Sequence, residues 1–336
     1  MTNGMKPHCT YLFGLACCLA AFTSAGLAGQ IKASVVMEQA RRLSDIWEKN
    51  APAFHLKADL ILKDENGTGQ QGTYVESWIS AGQWRRETVI GSFHRLEVAS
   101  GDKRWLLDSS NGMPITAYNL ESMLAPWRMD PMLLDNAVVK EKSWHGQALR
   151  CVTRQAYPEG KAAVCVDKAT GALADKVEPV KHGRRIEDEI CEYSNYQKFG
   201  EKIFPRLVRC LDGNRLKLEF RIVQLEPAEN LSADLFASVD GAKESFNCQG
   251  ALRMPQALFT PDPNPPSTKN PDHPVELLVV VGKNGKPKKI NVVRSIDRDF
   301  DNAAMSAIQR WKFKPATCEG KPIDQEVHVE VEFHIQ

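Results

Sequence analysis

The stretch from Phe300 to Gln336 leaves this chain little choice of local fold. Phe300, Ala304, Ala307, Ile308 and Trp311 recur at i, i+4, i+7, i+8 and i+11, the apolar stripe of one short amphipathic helix. Asp299 and Asp301 are placed to serve as N-cap and first-turn acid, and Pro315 forbids the helix from continuing. A turn at Glu319–Gly320 then leads into a strand. Along it Val327, Val329, Val331, Phe333 and Ile335 face one way, and His328, Glu330, Glu332 and His334 the other. Such regular alternation in the last element suits an edge strand. Upstream, Val275 to Val281 forms another strand, Lys283–Asn284–Gly285–Lys286 a hairpin turn, and Ile290 to Val293 the returning partner. Asn-Gly signals a tight turn with both central residues at positive φ. The order strand, strand, helix, strand must bury one face of a three-stranded sheet under one helix.

These residues resemble the C-terminal domain of the TonB family. The resemblance is carried by VVVGKNGKPKKINVVRS, by the helix and exit FDNAAMSAIQRWKFKPA, by the turn GKPI and by the final strand VHVEVEF. Arg310 to Pro315 is its most specific piece, and Pro255 to Pro265 resembles the family's lead-in. The match covers 253–336, with the domain proper at 275–336. Pro266 to Pro271 departs from the short helix and glycine usual there. The resemblance implies a domain that offers a sheet edge to an extended partner segment, in that family a piece of an outer-membrane transporter. Candidate contacts are Val327, Val329, Val331 and Phe333, with Arg310 for an acidic group.

The N-terminus reads as a targeting segment over 1–28. Lys6 supplies a basic start, Tyr11 to Phe22 an apolar core, and Gly26–Leu27–Ala28 a small-x-small cleavage site. An uncleaved anchor in the inner membrane, facing the periplasm, is the alternative, because Tyr11 to Ala28 is uncharged. Cleavage leaves Cys151, Cys165, Cys191, Cys210, Cys248 and Cys318, an even set that suggests disulfides in an exported chain. Cys191 and Cys210 are equidistant from a Gly200–Glu201 turn, which sets them opposite each other. Cys151 and Cys165 flank Tyr157–Pro158–Glu159 in the same way. Cys248–Cys318 follows by elimination and would staple the preceding linker to the C-terminal domain. Free buried thiols are the competing reading.

Between these ends lies a long α+β region. Val36, Ala40, Leu43, Ile46 and Trp47 share one face of a helix expected over 35–49, and Phe54 to Leu62 alternates cleanly as a strand. Strands then succeed one another at roughly ten-residue spacing to about Leu225, interrupted by a helical insert from Leu120 to Leu134 that Pro126 and Pro131 break in two. This pattern predicts one large curved antiparallel sheet, a half-barrel closed by helices. Over 35–240 it resembles the LolA/LolB-like lipoprotein-carrier fold, on VCVDKATGAL, YSNYQKFGEKIFPRLVR and ENLSADLF. That resemblance implies an apolar concavity for a lipid or acyl ligand; a sheet filled by its own side chains is the alternative. Residues 241–274 read as a linker, with seven prolines from Pro255 to Pro274.

A formal net charge of +1, from 43 basic and 42 acidic residues, gives no electrostatic case for nucleic acid. No phosphate loop, GxSxG elbow, HExxH or Cys-His nucleophile pattern is present, so no enzyme activity and no cofactor are expected. His328, Glu330, Glu332 and His334 line one strand face, but at ~3.3 Å per residue His328 and His334 lie ~20 Å apart and cannot share one metal ion. Together with these absences, the resemblance to the TonB C-terminal domain implies a non-enzymatic envelope protein of the periplasm that binds a partner by strand addition and is associated with TonB-type transport. A lipid or lipoprotein carrier docked through its C-terminal module, and a membrane-anchored energy transducer, stand as alternatives.

Overall fold

The computed structural model describes residues 31–333 except 64–66, 110–119, 127–133, 135, 157–159, 183–184, 230, 267–270 and 272. The expected leader, the second helical piece across Pro131, and His334 and Ile335 lie outside the described residues. Helix α1 spans Ala33–Ser44. The first strands are β1 (Phe54–Lys63), β2 (Gly69–Ser80), β3 (Gln83–Ile90), β4 (Phe93–Ser100) and β5 (Lys103–Asp108). After helix α2 (Leu120–Leu124) come β6 (Val138–Trp144), β7 (Gln147–Gln155), β8 (Lys161–Asp167), β9 (Leu173–His182) and β10 (Arg185–Ser194). A short pair, β11 (Gln197–Phe199) and β12 (Lys202–Phe204), precedes β13 (Leu207–Asp212), β14 (Arg215–Pro227) and β15 (Lys243–Phe246).

Thirteen of these strands form one sheet in the order β15-β5-β4-β3-β2-β1-β14-β13-β10-β9-β8-β7-β6. The chain lays down two meanders, and β1 joins them by pairing antiparallel with β14 from Phe54↔Pro227 to Leu62↔Leu218. The order begins at β15 and ends at β6, so the sheet is open, as expected at the level of one large antiparallel sheet with helices. The strand alternation of β1 holds: Phe54, Leu56, Ala58 and Leu60 are buried, whereas Lys57 and Asp59 are exposed.

Val36, Met37 and Ala40 of α1 and Met123 and Leu124 of α2 join the same core as β1. The Tyr193 hydroxyl donates to the Met123 carbonyl at 2.6 Å, which ties α2 to β10. Helix α1 stops at Ser44, not at Lys49. Asp45 leaves the helical region, with φ −77° and ψ 96°, and its Oδ1 accepts the Trp47 N–H at 3.0 Å. This tight turn lets both Ile46 and Trp47 enter the core, which a continued helix would have had to share with its polar face.

Aromatic packing fills that core. Phe54 stacks on Trp78 at 5.5 Å, Trp47 meets Phe54 and Phe204 edge-on at 5.9 and 5.5 Å, and Phe54 meets Phe199 edge-on at 6.1 Å. One charge lies among these rings. Glu76 is fully buried, and its carboxylate accepts from Trp47 Nε1 at 3.1 Å, the Tyr74 hydroxyl at 2.9 Å and Arg86 Nε at 2.9 Å. Every partner is needed, because an uncompensated buried carboxylate costs several kcal/mol. The ladder continues outward: Arg86 stands opposite Glu97, which is paired with Arg104.

The C-terminal region is built from β16 (Leu252–Arg253), β17 (Gln256–Phe259), β18 (Val275–Val281), β19 (Pro287–Arg294), helix α3 (Arg298–Ile308), β20 (Lys312–Lys314), β21 (Ala316–Cys318), β22 (Lys321–Ile323) and β23 (Gln325–Val331). Its main sheet runs β19-β18-β23. Phe300, Ala304 and Ile308 of α3 pack with Val275, Leu277, Val279 and Val281. The N-cap is Asp297 rather than Asp299: its side chain accepts from the N–H groups of Asp299 and Phe300, at 2.8 and 3.0 Å, and leaves Asp299 and Asp301 as first-turn acids.

The β18–β19 hairpin also differs from the two-residue turn that Asn-Gly suggests. The Gly285 N–H donates to Gly282 O at 2.8 Å, the Gly282 N–H donates to Lys286 O at 2.9 Å, and Gly285 alone of the loop has positive φ, at 73°. This is a longer loop closed by a left-handed glycine. Gly285 is also required for space, since a Cβ there would fall on the Phe313 carbonyl oxygen.

The span expected as a linker is largely paired. β15 adds to β5 from Lys243↔Leu106 to Phe246↔Lys103 and so extends the large sheet past 240. The Asn247 N–H then donates to Asp102 O at 2.8 Å, and its side-chain amide donates to Ala81 O and Gly101 O at 2.9 and 3.0 Å. Next in the chain, Cys248 is bonded to Cys318. β16 pairs with β21 and β17 with β20. Arg310 Nη2 and Trp311 Nε1 hold the carbonyls of Asp262 and Pro261, each at 3.2 Å.

The charge ladder makes the large sheet acid-sensitive. Burial alone would push the Glu97 carboxyl up, but Arg104, Arg86 and Arg95 together hold it at about 2. A depressed carboxylate contributes stability that is fully present above its unfolded pKa, near 4.3, and lost as pH falls through the folded value. Urea denaturation of the wild type should therefore lose midpoint between about pH 4 and pH 2, and Glu97→Gln should be less stable at pH 7 with a flatter profile over that interval. Equal pH slopes in the two proteins would show that Glu97 is not the group responsible.

Candidate functional site

β23 stands at one end of the three-stranded order, with β18 beside it. Its register is Val275↔Val331, Leu277↔Val329 and Val279↔Val327. That register sends the valines toward α3. Val331 is buried, Val327 and Val329 are partly buried against the same core, and Phe333 meets Phe300 edge-on at 4.8 Å. The side chains of Val327, Val329, Val331 and Phe333 therefore serve the core, and the edge position of β23 leaves its backbone as the part that an added strand would meet.

Arg310 is exposed, but its guanidinium is engaged with the Asp262 carbonyl of this chain's own lead-in. Near the start of β23, Lys288 Nζ lies 2.7 Å from Asp324 Oδ2, and the Lys283 N–H donates to Asp324 Oδ1 at 2.8 Å. The hydrogen bond from Lys288 is the main reason the Asp324 carboxyl titrates below its ordinary range. This pairing anchors the β18–β19 loop to the entry of β23.

Two features escaped the reading of the sequence. β18 is buried on both faces: Glu276 and Leu278, which alternate with the helix-facing residues, are 3% and 8% exposed. The paired stretch before it carries exposed apolar side chains, Phe246, Leu252, Met254, Leu258 and Phe259, and Lys312 Nζ lies 5.8 Å from the Phe259 ring centre. The former had a signal in the near-continuous apolar run VELLVVV. The latter was hidden among prolines.

The disulfides are Cys151–Cys165 across β7 and β8, Cys191–Cys210 across β10 and β13, and Cys248–Cys318, with Cα separations of 3.9, 4.0 and 5.7 Å. The first two join residues directly opposite in register, as the symmetry of the turns indicated. The third ties the end of the large sheet to β21. Among the described residues no helix is long and apolar enough to cross a membrane.

The region that holds this edge is similar to a known family. Residues 272–335 match the model described as the Gram-negative bacterial TonB protein C-terminal. Two curated relatives, both named Protein TonB, from two strains of Xanthomonas campestris pv. campestris, are each 32% identical over 102 residues. That alignment takes in 30% of this chain and 41% of each relative, so the chain spans about two-fifths of the length of the curated relatives it matches. Solved structures similar to this chain include a putative outer membrane lipoprotein-sorting protein domain from Vibrio parahaemolyticus, at 14% identity and TM-score 0.40, over 61% of this chain and 97% of that one. A LolA superfamily protein from Nitrosomonas europaea has 11% identity and TM-score 0.40, over 62% and 98%.

The Cys248–Cys318 bond closes a loop of 70 residues in sequence. Chain entropy alone gives such a crosslink up to about 4 kcal/mol. Replacing both cysteines by serine should lower the unfolding midpoint of the C-terminal region and make the stretch from Gly250 to Phe259 the first site of limited proteolysis. An unchanged cleavage pattern would show that strand pairing alone holds this stretch.

Proposed function

We propose that this chain is a non-enzymatic protein of the bacterial envelope, exported to the periplasm, whose C-terminal domain binds an envelope partner by strand addition along β23. The observation that carries the reading is the edge position of β23 in a domain that matches the TonB C-terminal model. Backbone hydrogen bonds of the edge strand would supply affinity, and the residues flanking it would select the partner. By the family resemblance, the partner class is an extended segment of an outer-membrane transporter. The large sheet and its paired connection would present this domain, with no requirement for the sheet to carry a lipid. The aromatic packing around Phe54 favours a filled interior over a carrier's cavity.

Proline substitution tests the reading, because in an antiparallel edge successive residues direct their N–H groups alternately to the neighbour strand and away from it. Val329→Pro and Glu330→Pro should therefore diverge. One should destabilise the domain, and the other should keep a near-native melting temperature yet lose binding to extended peptides from outer-membrane transporters, measured by fluorescence anisotropy. A folded proline variant that binds such peptides as well as the wild type would overturn strand addition at β23.

A further inference from the structure

The sheet face opposite α3 gathers three metal-ligating side chains from two strands. Glu276 on β18 stands directly opposite Glu330 on β23, and His328 lies two residues before Glu330 on the same face. Residues i and i+2 of one strand plus the facing residue of the next converge on one point above a sheet. Here one ligand atom from each of Glu276, His328 and Glu330 lies within 4.8 Å of the others. His328 Nε2 is 3.1 Å from Glu276 Oε2.

Glu276 is what separates this group from an ordinary charged surface. It is 3% exposed, so its carboxylate is held in place rather than solvated. Arg294 Nη1 lies 3.3 Å from the other oxygen, Oε1. That contact orients the carboxylate and leaves Oε2 turned toward His328, the arrangement in which an outer group fixes a metal ligand. With metal–ligand distances of about 2.1 Å, tetrahedral donors stand roughly 3.4 Å apart. The Glu276–His328 spacing is already close to this. Glu330, on the more accessible side, offers the third donor, within 4.8 Å of the other two.

We infer that Glu276, His328 and Glu330 form a binding site for one divalent transition-metal ion, zinc being the best match. One imidazole nitrogen and two carboxylate oxygens suit a borderline cation; calcium and magnesium prefer shells made of oxygen alone. Three protein ligands leave a fourth position for water or an added ligand. Bound metal would crosslink β23 to β18 and fix the register of the sheet's terminal strand. The inference stands on this geometry and does not depend on which partner β23 meets.

The test uses the full chain with its disulfides intact, stripped of metal. Zinc is titrated by calorimetry, and cobalt by its visible absorption. The expected result is one saturable equivalent, with cobalt bands of a low-symmetry four- or five-coordinate site and a zinc-dependent rise in melting temperature. His328→Ala should abolish that equivalent, and Glu330→Gln should weaken it at least tenfold. Both positions are less buried than Glu276, and circular dichroism verifies that each variant is folded. No saturable equivalent in the wild type, or unchanged binding in His328→Ala, would overturn the site and leave Glu276, Arg294 and His328 as a structural ion cluster.

Discussion

Two consecutive residues hold the architecture together. Asn247 satisfies carbonyls from two hairpin turns of the large sheet, at Ala81 and Gly101, and Cys248 is bonded to Cys318 in the C-terminal region. The chain passes from the large sheet to an anchor on β21 of the C-terminal region within a single peptide bond. Asn247 is buried, so those carbonyls have no easy substitute from water. Beyond Cys248 the chain is held by short pairings of β16 with β21 and β17 with β20, each too small to persist alone. The disulfide turns them into a continuous connection.

The large sheet meets a different problem, which is how to cover one broad face with few helices. Trp47, Phe54, Trp78, Phe199, Phe204 and Phe220 solve it with volume, and the sharp turn at Asp45 is what lets Trp47 take part. Its indole N–H then needs an acceptor, and Glu76 provides one. Glu76 in turn needs Arg86, which brings Glu97 and Arg104 into the same ladder. A large hydrophobic side chain with one polar atom thus propagates a line of charges across β2 to β5.

In the C-terminal sheet the central strand has little freedom. β18 is covered by α3 on one side and buried at Glu276 and Leu278 on the other. Its neighbour β23 gives its valines to the helix side and its polar residues to the opposite side. The two proposed roles therefore differ in direction: the backbone edge of β23 would take an added strand, and the face carrying His328 and Glu330 would hold the ion.

Elements whose signals are local are legible in the sequence. The alternation of Phe54 to Leu62 and of Val327 to Val331, the stripe of α3 and the turn symmetry around Cys191 and Cys210 all derive from spacing along a single chain. Local signals erred by a residue or two where competing groups were close: Asp297 outcompetes Asp299 as N-cap, and Gly285 closes a longer loop because Phe313 packs against it. The rest depends on contacts between residues far apart in the chain. That segments of 243–259 would pair with β5 of the large sheet and with β21 and β20 of the C-terminal region could not be read from local spacing, because those partners lie far away in sequence. Nor could Glu276 be placed with His328 and Glu330, since that meeting depends on the register between strands some fifty residues apart. Side-chain periodicity gives each strand its faces, but only the hydrogen-bonded register decides which residues of two strands share a point in space.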